Sequence, residues 1–112
     1  MDTETVVRNH VRVFLENRGV DAILEDYHDE ARVHGEDRLY RGKGEIREFF
    51  NGFLASLPPG AFERFALRSL RAEGDLAFLT WSVGREIALG VDTFVVRDGR
   101  ILSQTFAMHA GR

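Results

Sequence analysis

Two stretches in the first half of the chain carry apolar residues at helical spacing. The pattern over residues 3–18 predicts a first helix, and Gly19 follows at a position suited to its C-terminal cap. The pattern over residues 45–57 predicts a longer helix with one wide apolar face, which Pro58 ends. Between these helices, Asp21 can cap a short helix, and residues 31–34 predict a short strand.

The second half of the chain is typical of β-strands. Residues 62–72, 76–85, 89–96 and 100–109 are rich in strand-forming side chains and are separated by turn residues such as Asp98 and Gly99. Four long strands in an antiparallel meander are therefore predicted.

Both faces of these strands carry apolar side chains. In the strand that begins at Leu76, Phe78 shares the face of Leu76, whereas Leu79 and Trp81 lie on the other. The predicted helices can cover only one face. We therefore expect the outer face to pack against a second copy of the chain in a homodimer.

Length and composition fit one domain over residues 1–112, with 44% hydrophobic residues and a single core. The net charge of −3, with arginines scattered among acids, argues against a nucleic-acid partner. There is no cysteine, no basic segment followed by an apolar run at the start, and no stretch long enough for a membrane span. We expect a soluble, cytoplasmic protein without a membrane partner.

Asp92 is the residue at which chemistry is most expected. It lies in a strand otherwise made of Val, Phe and Thr. Because an ionised carboxylate is costly to bury, such a group takes up a proton, finds a partner or lies in a wet cavity. Asp92 is either a functional acid with a raised pKa or a structural acid paired with an arginine or the backbone.

Three segments resemble the SnoaL-like branch of the nuclear transport factor 2-like superfamily, which includes ketosteroid isomerases. They are DAILEDYHDEARVHG (21–35), LYRGKGEIREFFNGFL (39–54) and GVDTFVVRDGRILSQTFA (90–107). The resemblance implies an α+β fold in which a cone-shaped, curved antiparallel sheet carries three N-terminal helices on its concave face. It also implies a conical apolar pocket that takes a hydrophobic small molecule, and dimers through the outer sheet face. Fold does not define function in this superfamily, so the site is argued by residue.

The resemblance places Asp92 at the position where ketosteroid isomerases hold a protonated acid that donates a hydrogen bond to the substrate oxyanion. Its neighbours depend on the turn at Asp98 and Gly99. A two-residue loop would put Ser103, Thr105 and His109 on the face of Asp92. A three-residue turn with Gly99 as a left-handed bulge would put Gln104, Phe106 and Met108 there, and the resemblance favours this alternative.

Under that alternative, the sheet wall of the pocket consists of Asp92, Phe94, Gln104, Phe106, Met108 and Trp81. Phe14, Phe49 and Phe53 lie on the predicted helices, where each is a core residue that also lines the cavity. Tyr27 and Tyr40 could each place a hydroxyl at the pocket, and Tyr27 is favoured. The site prediction is therefore Asp92 as catalytic group, with ligand contacts from Tyr27, Trp81, Gln104, Phe94, Phe53, Phe49, Phe14, Phe106 and Met108.

The chain departs from the isomerases at two positions. Their catalytic base is an acid at the end of the first short strand, where this chain has Gly35. His34 could substitute only in a shifted register, as could Glu36 or Asp37, but strand alternation turns His34 outward. Their first-helix tyrosine is also absent, with Arg12, Val13 or Phe14 in that region. Steroid isomerisation by that mechanism is therefore not expected.

No metal or cofactor is predicted. The four histidines are dispersed, without a paired spacing such as i and i+4, and dispersed histidines are more often surface residues. Two hypotheses remain. The first is an isomerase-, cyclase- or hydrolase-type enzyme that uses Asp92 on a hydrophobic carbonyl substrate. The second is a non-catalytic dimeric module that binds a ligand or assists a partner.

Overall fold

Six strands form one sheet, and helices cover one of its faces, in the computed structural model, which describes residues 2–111. The helices are α1 (Thr3–Leu15), α2 (Val20–Leu24), α3 (Gly42–Ser56) and α4 (Ala61–Arg64). The strands are β1 (Tyr27–His34), β2 (Leu39–Arg41), β3 (Phe65–Glu73), β4 (Leu76–Val83), β5 (Ile87–Arg97) and β6 (Arg100–Ala110). Their order across the sheet is β2-β1-β6-β5-β4-β3.

The predicted α+β class and curved sheet are confirmed, as is the antiparallel meander over β3 to β6. The first strand joins this meander at its last strand: β1 pairs with β6 in parallel and with β2 antiparallel. One strand pair therefore departs from the antiparallel arrangement. This pairing brings the start of β1 beside β6, which carries Gln104.

The first two helices differ from the prediction at their ends. α1 stops at Leu15 rather than residue 18, because Asn17 adopts the left-handed region with φ 54°. Gly19, predicted as the cap that ends α1, is instead the residue that precedes α2, with φ 97°. Asp21 does not cap α2 but lies in its first turn, where its carboxylate is 2.6 Å from a guanidinium nitrogen of Arg47.

Three local features escaped the prediction. β2 was not expected, and it leads directly into α3, which starts at Gly42 rather than residue 45. The backbone N–H of Arg41 donates to the side chain of Glu45 at 2.8 Å, which stabilises this earlier start. The one-turn helix α4 replaces the first residues of the strand predicted over 62–72, so β3 begins at Phe65.

The turn between β5 and β6 decides which side chains share a face. Asp98 and Gly99 both have positive φ, 54° and 77°, which is the geometry of a two-residue type I′ hairpin loop. Beyond the loop, Arg97 pairs with Arg100, but Val95 pairs with Ser103, because β6 has one extra residue between the two pairs. That bulge shifts the pairing of β6 with β5 by one residue. Each side chain of β6 beyond the bulge therefore lies on the opposite face from the one that the two-residue turn alone would give it.

The helices lie over the concave face, with α1 against β3, β4 and β5 and α3 against β1 and β2. The predicted inner face of β4 is confirmed, since Ala77, Leu79, Trp81 and Val83 are all buried. On the outer face, Leu76 and Leu89 are 44% and 43% exposed. Within residues 2–111, no helix is both long enough and apolar enough to cross a membrane.

Gly90 allows the single tryptophan to lie flat against the sheet. Trp81 and Gly90 face each other across β4 and β5. A Cβ atom at Gly90 would lie 1.9 Å from Cε2 of the Trp81 indole, far inside van der Waals contact. The indole therefore occupies the space that any other residue at position 90 would fill.

This close approach generates a prediction for two glycine substitutions. Gly90→Ala should lower the free energy of unfolding by roughly 1–3 kcal/mol, because the buried indole must move. Gly52→Ala is the matched control, because Gly52 lies in α3 and a Cβ there meets nothing within 4 Å. It should raise stability by about 0.5–1 kcal/mol. Urea unfolding, monitored by tryptophan fluorescence, measures both changes in stability. Equal changes in the two variants would contradict close packing of the indole against Gly90.

Candidate active site

A cavity lies between the concave face of the sheet and helices α1 and α3. The cavity is small: the centre of a water molecule can move within about 50 Å³ of it. That is room for a few waters or for a small organic molecule. The sheet contributes Phe65, Leu79, Trp81, Asp92, Phe94, Gln104 and Phe106, and the helices contribute His10, Val11, Phe14, Phe49, Phe50 and Phe53. The lining is mostly aromatic, and its polar groups are few.

Asp92 lies in the middle of the sheet wall, and each of its carboxylate oxygens accepts one hydrogen bond. The indole Nε1–H of Trp81 donates to Oδ1 at 2.7 Å. The amide Nε2 of Gln104 donates to Oδ2, also at 2.7 Å. The residue is 6% exposed. The partners of this buried acid are therefore neutral donors, and neither the arginine nor the backbone considered for a structural acid holds it.

Burial raises the pKa of Asp92 from its usual value to about 6, the direction expected under the functional alternative. The hydrogen bonds from Trp81 and Gln104, and the nearby His10, oppose this rise because they favour the anion. At pH 7 most of the population is therefore ionised. An anion that accepts two hydrogen bonds differs from the protonated donor of ketosteroid isomerases, because it has no proton to donate.

The register of β6 follows the alternative that put Gln104 and Phe106 on the face of Asp92. Asp92 pairs with Phe106, and Phe94 pairs with Gln104. The physical cause is the bulge in β6, rather than a three-residue turn at Gly99. The alternative with Ser103, Thr105 and His109 on that face is wrong. Met108 is on the same face, but it packs against the core outside the cavity lining.

Tyr27, His10 and Asp26 extend the polar contacts of Asp92 towards the surface. The Tyr27 hydroxyl donates to Oε1 of Gln104, and its oxygen is 3.5 Å from Nε2 of His10. Nδ1 of His10 is 2.9 Å from Oδ2 of Asp26. The chain of contacts runs from Asp26, whose side chain is 19% exposed, to the buried carboxylate of Asp92.

Tyr27 lies behind the cavity wall rather than on it. It is fully buried, and burial, together with Asp92 and Asp26, raises the pKa of its phenol well above the usual value. The hydroxyl therefore keeps its proton and acts on Gln104. The hydroxyl of the other candidate tyrosine, Tyr40, donates a hydrogen bond to Asp37 at 2.7 Å. Neither Tyr27 nor Tyr40 lines the cavity.

The aromatic rings pack against one another around the cavity. Phe53 is central, with ring centroids 5.4 Å from Phe106, 5.9 Å from Trp81 and 5.9 Å from Phe14. Phe65 stacks on Trp81 at 5.6 Å. One cavity is thus lined by the predicted pocket residues Phe14, Phe49, Phe53, Phe94, Phe106, Trp81 and Gln104. Their contact with a ligand stays a prediction.

Five lining residues are not among those predicted from the sequence: His10, Val11, Phe50, Phe65 and Leu79. The most important is His10, whose dispersed position favours a surface histidine but which is 6% exposed. Its position on the buried stripe of α1, three residues after Val7, is the signal that could have identified it.

The departures from the isomerase pattern hold in the structure. Within residues 2–111, Asp92 is the one carboxylate that lines the cavity, and none of His34, Glu36 and Asp37 reaches it. His34 is exposed, as strand alternation predicted. Over the same residues, no three His, Asp or Glu side chains come together as metal ligands would.

The pKa of Asp92 predicts a dependence of stability on pH. The folded state holds the proton up to about pH 6, whereas the unfolded chain releases it near pH 4. Stability therefore falls as pH rises through this window, by roughly 2 kcal/mol between pH 4 and pH 8. Asp92→Asn has no carboxyl group to titrate, so its free energy of unfolding should not fall in this way. Measured by urea unfolding, the stability of the variant relative to the parent should therefore rise by roughly 2 kcal/mol from pH 4 to pH 8. A constant difference between the two proteins would contradict a raised pKa.

The comparisons with known proteins agree with this architecture. The SnoaL-like domain family matches residues 7–104 of the chain. A sequence comparison with curated proteins gave no match.

Three similar solved structures cover most of the chain. A SnoaL-like protein of unknown function from Burkholderia thailandensis has a TM-score of 0.78 at 16% identity, covering 96% of this chain and 95% of that one. A candidate polyketide cyclase from Sinorhizobium meliloti has a TM-score of 0.73 at 17% identity, covering 92% and 94%. TerC, co-crystallised with polyporic acid, has a TM-score of 0.68 at 17% identity, covering 94% and 89%.

At these identities the structural neighbours establish the fold and leave the chemistry open. The family match shows the family as well as the fold, because it spans most of the chain and includes Asp92 and Gln104. The chain therefore belongs to the SnoaL-like domain family.

Proposed function

We propose that this protein is a small-molecule enzyme in which Asp92 acts as a general base on an apolar carbonyl substrate. The observation that carries the proposal is a carboxylate with a pKa of about 6 on the wall of an aromatic cavity. A base with a pKa near the working pH is largely ionised and still holds an abstracted proton well enough to promote its transfer. Removal of a proton beside a carbonyl is the step shared by isomerisations, cyclisations and dehydrations of such compounds.

The cavity supports an apolar substrate of modest size. Its walls are phenylalanine and tryptophan rings, which favour flat apolar molecules through burial and ring contacts. Trp81 and Gln104 already occupy one acceptor site on each oxygen of Asp92. A substrate C–H can approach the remaining lone pairs from the cavity. The co-crystallisation of TerC with polyporic acid is further support for a small organic ligand in this fold.

Exchange of α-hydrogens for deuterium tests the base directly. Cyclohexanone is a suitable probe, because it has one apolar ring and one carbonyl, and proton NMR in D₂O follows its exchange. The parent protein should catalyse the exchange, and Asp92→Asn should reduce the rate by roughly 10²- to 10⁴-fold. Asp98→Asn is the matched control, because Asp98 is exposed in the β5–β6 turn. Absence of catalysed exchange in the parent would overturn the proposed reaction.

The second candidate is a non-catalytic ligand-binding or accessory module. It is favoured by the absence of a second acid on the cavity lining within residues 2–111. Under this alternative, Asp92→Asn leaves the affinity for cyclohexanone nearly unchanged and the parent catalyses no exchange.

The cytoplasmic location expected from the sequence stays a prediction.

We also propose that the protein is a homodimer joined through the outer face of the sheet. Leu76 pairs with Val95 and Phe78 pairs with Thr93 on that face, and Leu89 and Val91 continue it along β5. These apolar side chains are exposed or half-buried in one chain. A contiguous apolar surface of this kind favours association of two copies.

The dimer has a direct test in solution. Sedimentation of the protein at micromolar concentration should give the mass of two chains, and Val91→Arg should give one, because a charge at the centre of the face would be buried without a partner. Ala55→Arg is the matched control, because Ala55 is exposed on α3. A parent protein that sediments as a monomer would contradict the proposed interface.

A further inference from the structure

His10 is the second titratable side chain on the cavity wall. Within residues 2–111, His10 and Asp92 are the titratable groups among the lining residues. The imidazole is held edge-on by the rings of Tyr27 and Phe94, with centroids 5.5 Å away in both cases, and by Phe50 at 6.3 Å. Because the ring is enclosed on these sides, its two nitrogens have fixed directions.

Asp26 determines which nitrogen of His10 is available for proton transfer. An ionised carboxylate only accepts hydrogen bonds, so Nδ1, 2.9 Å from Oδ2, is the donor in this contact. A histidine whose Nδ1–H is held in this way exchanges protons through Nε2. Asp26 thus orients the ring.

Nε2 of His10 has a weaker contact than Nδ1. Within residues 2–111, its hydrogen-bonding neighbour is the Tyr27 oxygen, at 3.5 Å, which is at the limit of a hydrogen bond. Tyr27 has a single proton and donates it to Gln104, so its oxygen presents lone pairs to Nε2. A proton on Nε2 therefore has an acceptor beside it, and a ligand oxygen in the cavity would be a better one.

We propose that His10 is the general acid that pairs with Asp92, and that Asp26 is the residue that positions it. This inference rests on the proposed function. A carbonyl that loses an α-proton to Asp92 develops negative charge on its oxygen inside an aromatic cavity. Such a charge needs a proton or a donor, because the phenylalanine rings do not stabilise it and Asp92 now holds the proton that it must return to carbon.

The proton transfers balance without another reactant. The C–H bond breaks as its proton joins a carboxylate oxygen of Asp92, and its electron pair forms the new C=C bond. The π electrons of the carbonyl move to oxygen, which takes the Nε2 proton of a doubly protonated His10 ring and leaves that ring neutral with its proton on Nδ1. Isomerisation is completed when Asp92 returns its proton to a different carbon and the enol O–H returns its proton to Nε2.

A pair of probes separates the acid from the base. Nitrocyclohexane has the ring size of cyclohexanone, but its nitro group carries the charge of the anion and depends little on a proton donor. His10→Gln keeps a donor for Asp26 but cannot release a proton. It should lower the exchange rate of cyclohexanone by about 10²-fold and that of nitrocyclohexane by no more than a few-fold. His34→Gln, at an exposed histidine, is the matched control and should change neither.

Each outcome decides between the two proposals. Equal losses for both probes in His10→Gln, or no loss for either, would overturn the acid role while Asp92 remains the base. If the parent exchanges neither probe faster than Asp92→Asn does, the proposed function fails and the role of His10 falls with it. Selective loss for cyclohexanone supports His10 as the acid.

The positioning role of Asp26 has a spectroscopic readout. Asp26→Leu removes the acceptor with little change in side-chain volume, so the neutral ring of His10 should shift from the Nδ1–H tautomer towards Nε2–H, which ¹⁵N NMR distinguishes. The same variant should lose exchange of cyclohexanone selectively. Asp21→Leu, at an exposed carboxylate, is the control. A ring that stays in the Nδ1–H form in Asp26→Leu would overturn the positioning role.

Discussion

The two hydrogen bonds to Asp92 are the constraint on which the interior of this protein depends. An unpartnered carboxylate in an aromatic cavity would be protonated or would destabilise the fold by several kcal/mol. Trp81 and Gln104 each supply one donor at 2.7 Å, and both are neutral, so they stabilise the anion without neutralising it. The position of these donors depends in turn on backbone features, namely Gly90 beside the indole and the bulge in β6.

The charge of Asp92 sets the direction of the hydrogen bonds behind the cavity. Because the anion only accepts, Gln104 must present its amide nitrogen to Asp92 and its oxygen to Tyr27. Tyr27 therefore donates to Gln104 and presents lone pairs to His10. One acid on β5 thus orders side chains on β6, β1 and α1, and the order reaches the surface at Asp26.

Local pattern was enough to predict the long elements, while long-range pairing decided the rest. The helix of residues 45–57 and the four meander strands have periodicity that any fold must respect, and Asp92 was conspicuous in its strand. The three residues of β2 and the four of α4 are too short to have a period. The bulge in β6 has no glycine to mark it, so the face shared by Asp92 and Gln104 followed from the resemblance rather than from the turn.

His10 shows why a polar residue on an apolar stripe is informative. By residue type, it is one of four scattered histidines. By position, it lies between Val7 and Phe14 on the buried side of α1. Its partner Asp26 is sixteen residues away, directly before β1. No local pattern contains that contact, since it depends on how α1 packs against the start of β1.

The same balance of burial and hydrogen bonding bears on how Asp92 would behave with a ligand in place. An apolar molecule that fills the cavity would exclude water and disfavour the anion further, which would raise the pKa of Asp92. The donors from Trp81 and Gln104 limit that rise, because they are buried and a ligand need not displace them. A carboxylate with burial alone would hold its proton at neutral pH, and one with full solvation would be too weak a base. The Asp92 site lies between these limits because its donors come from the protein and its apolar surroundings come from the cavity.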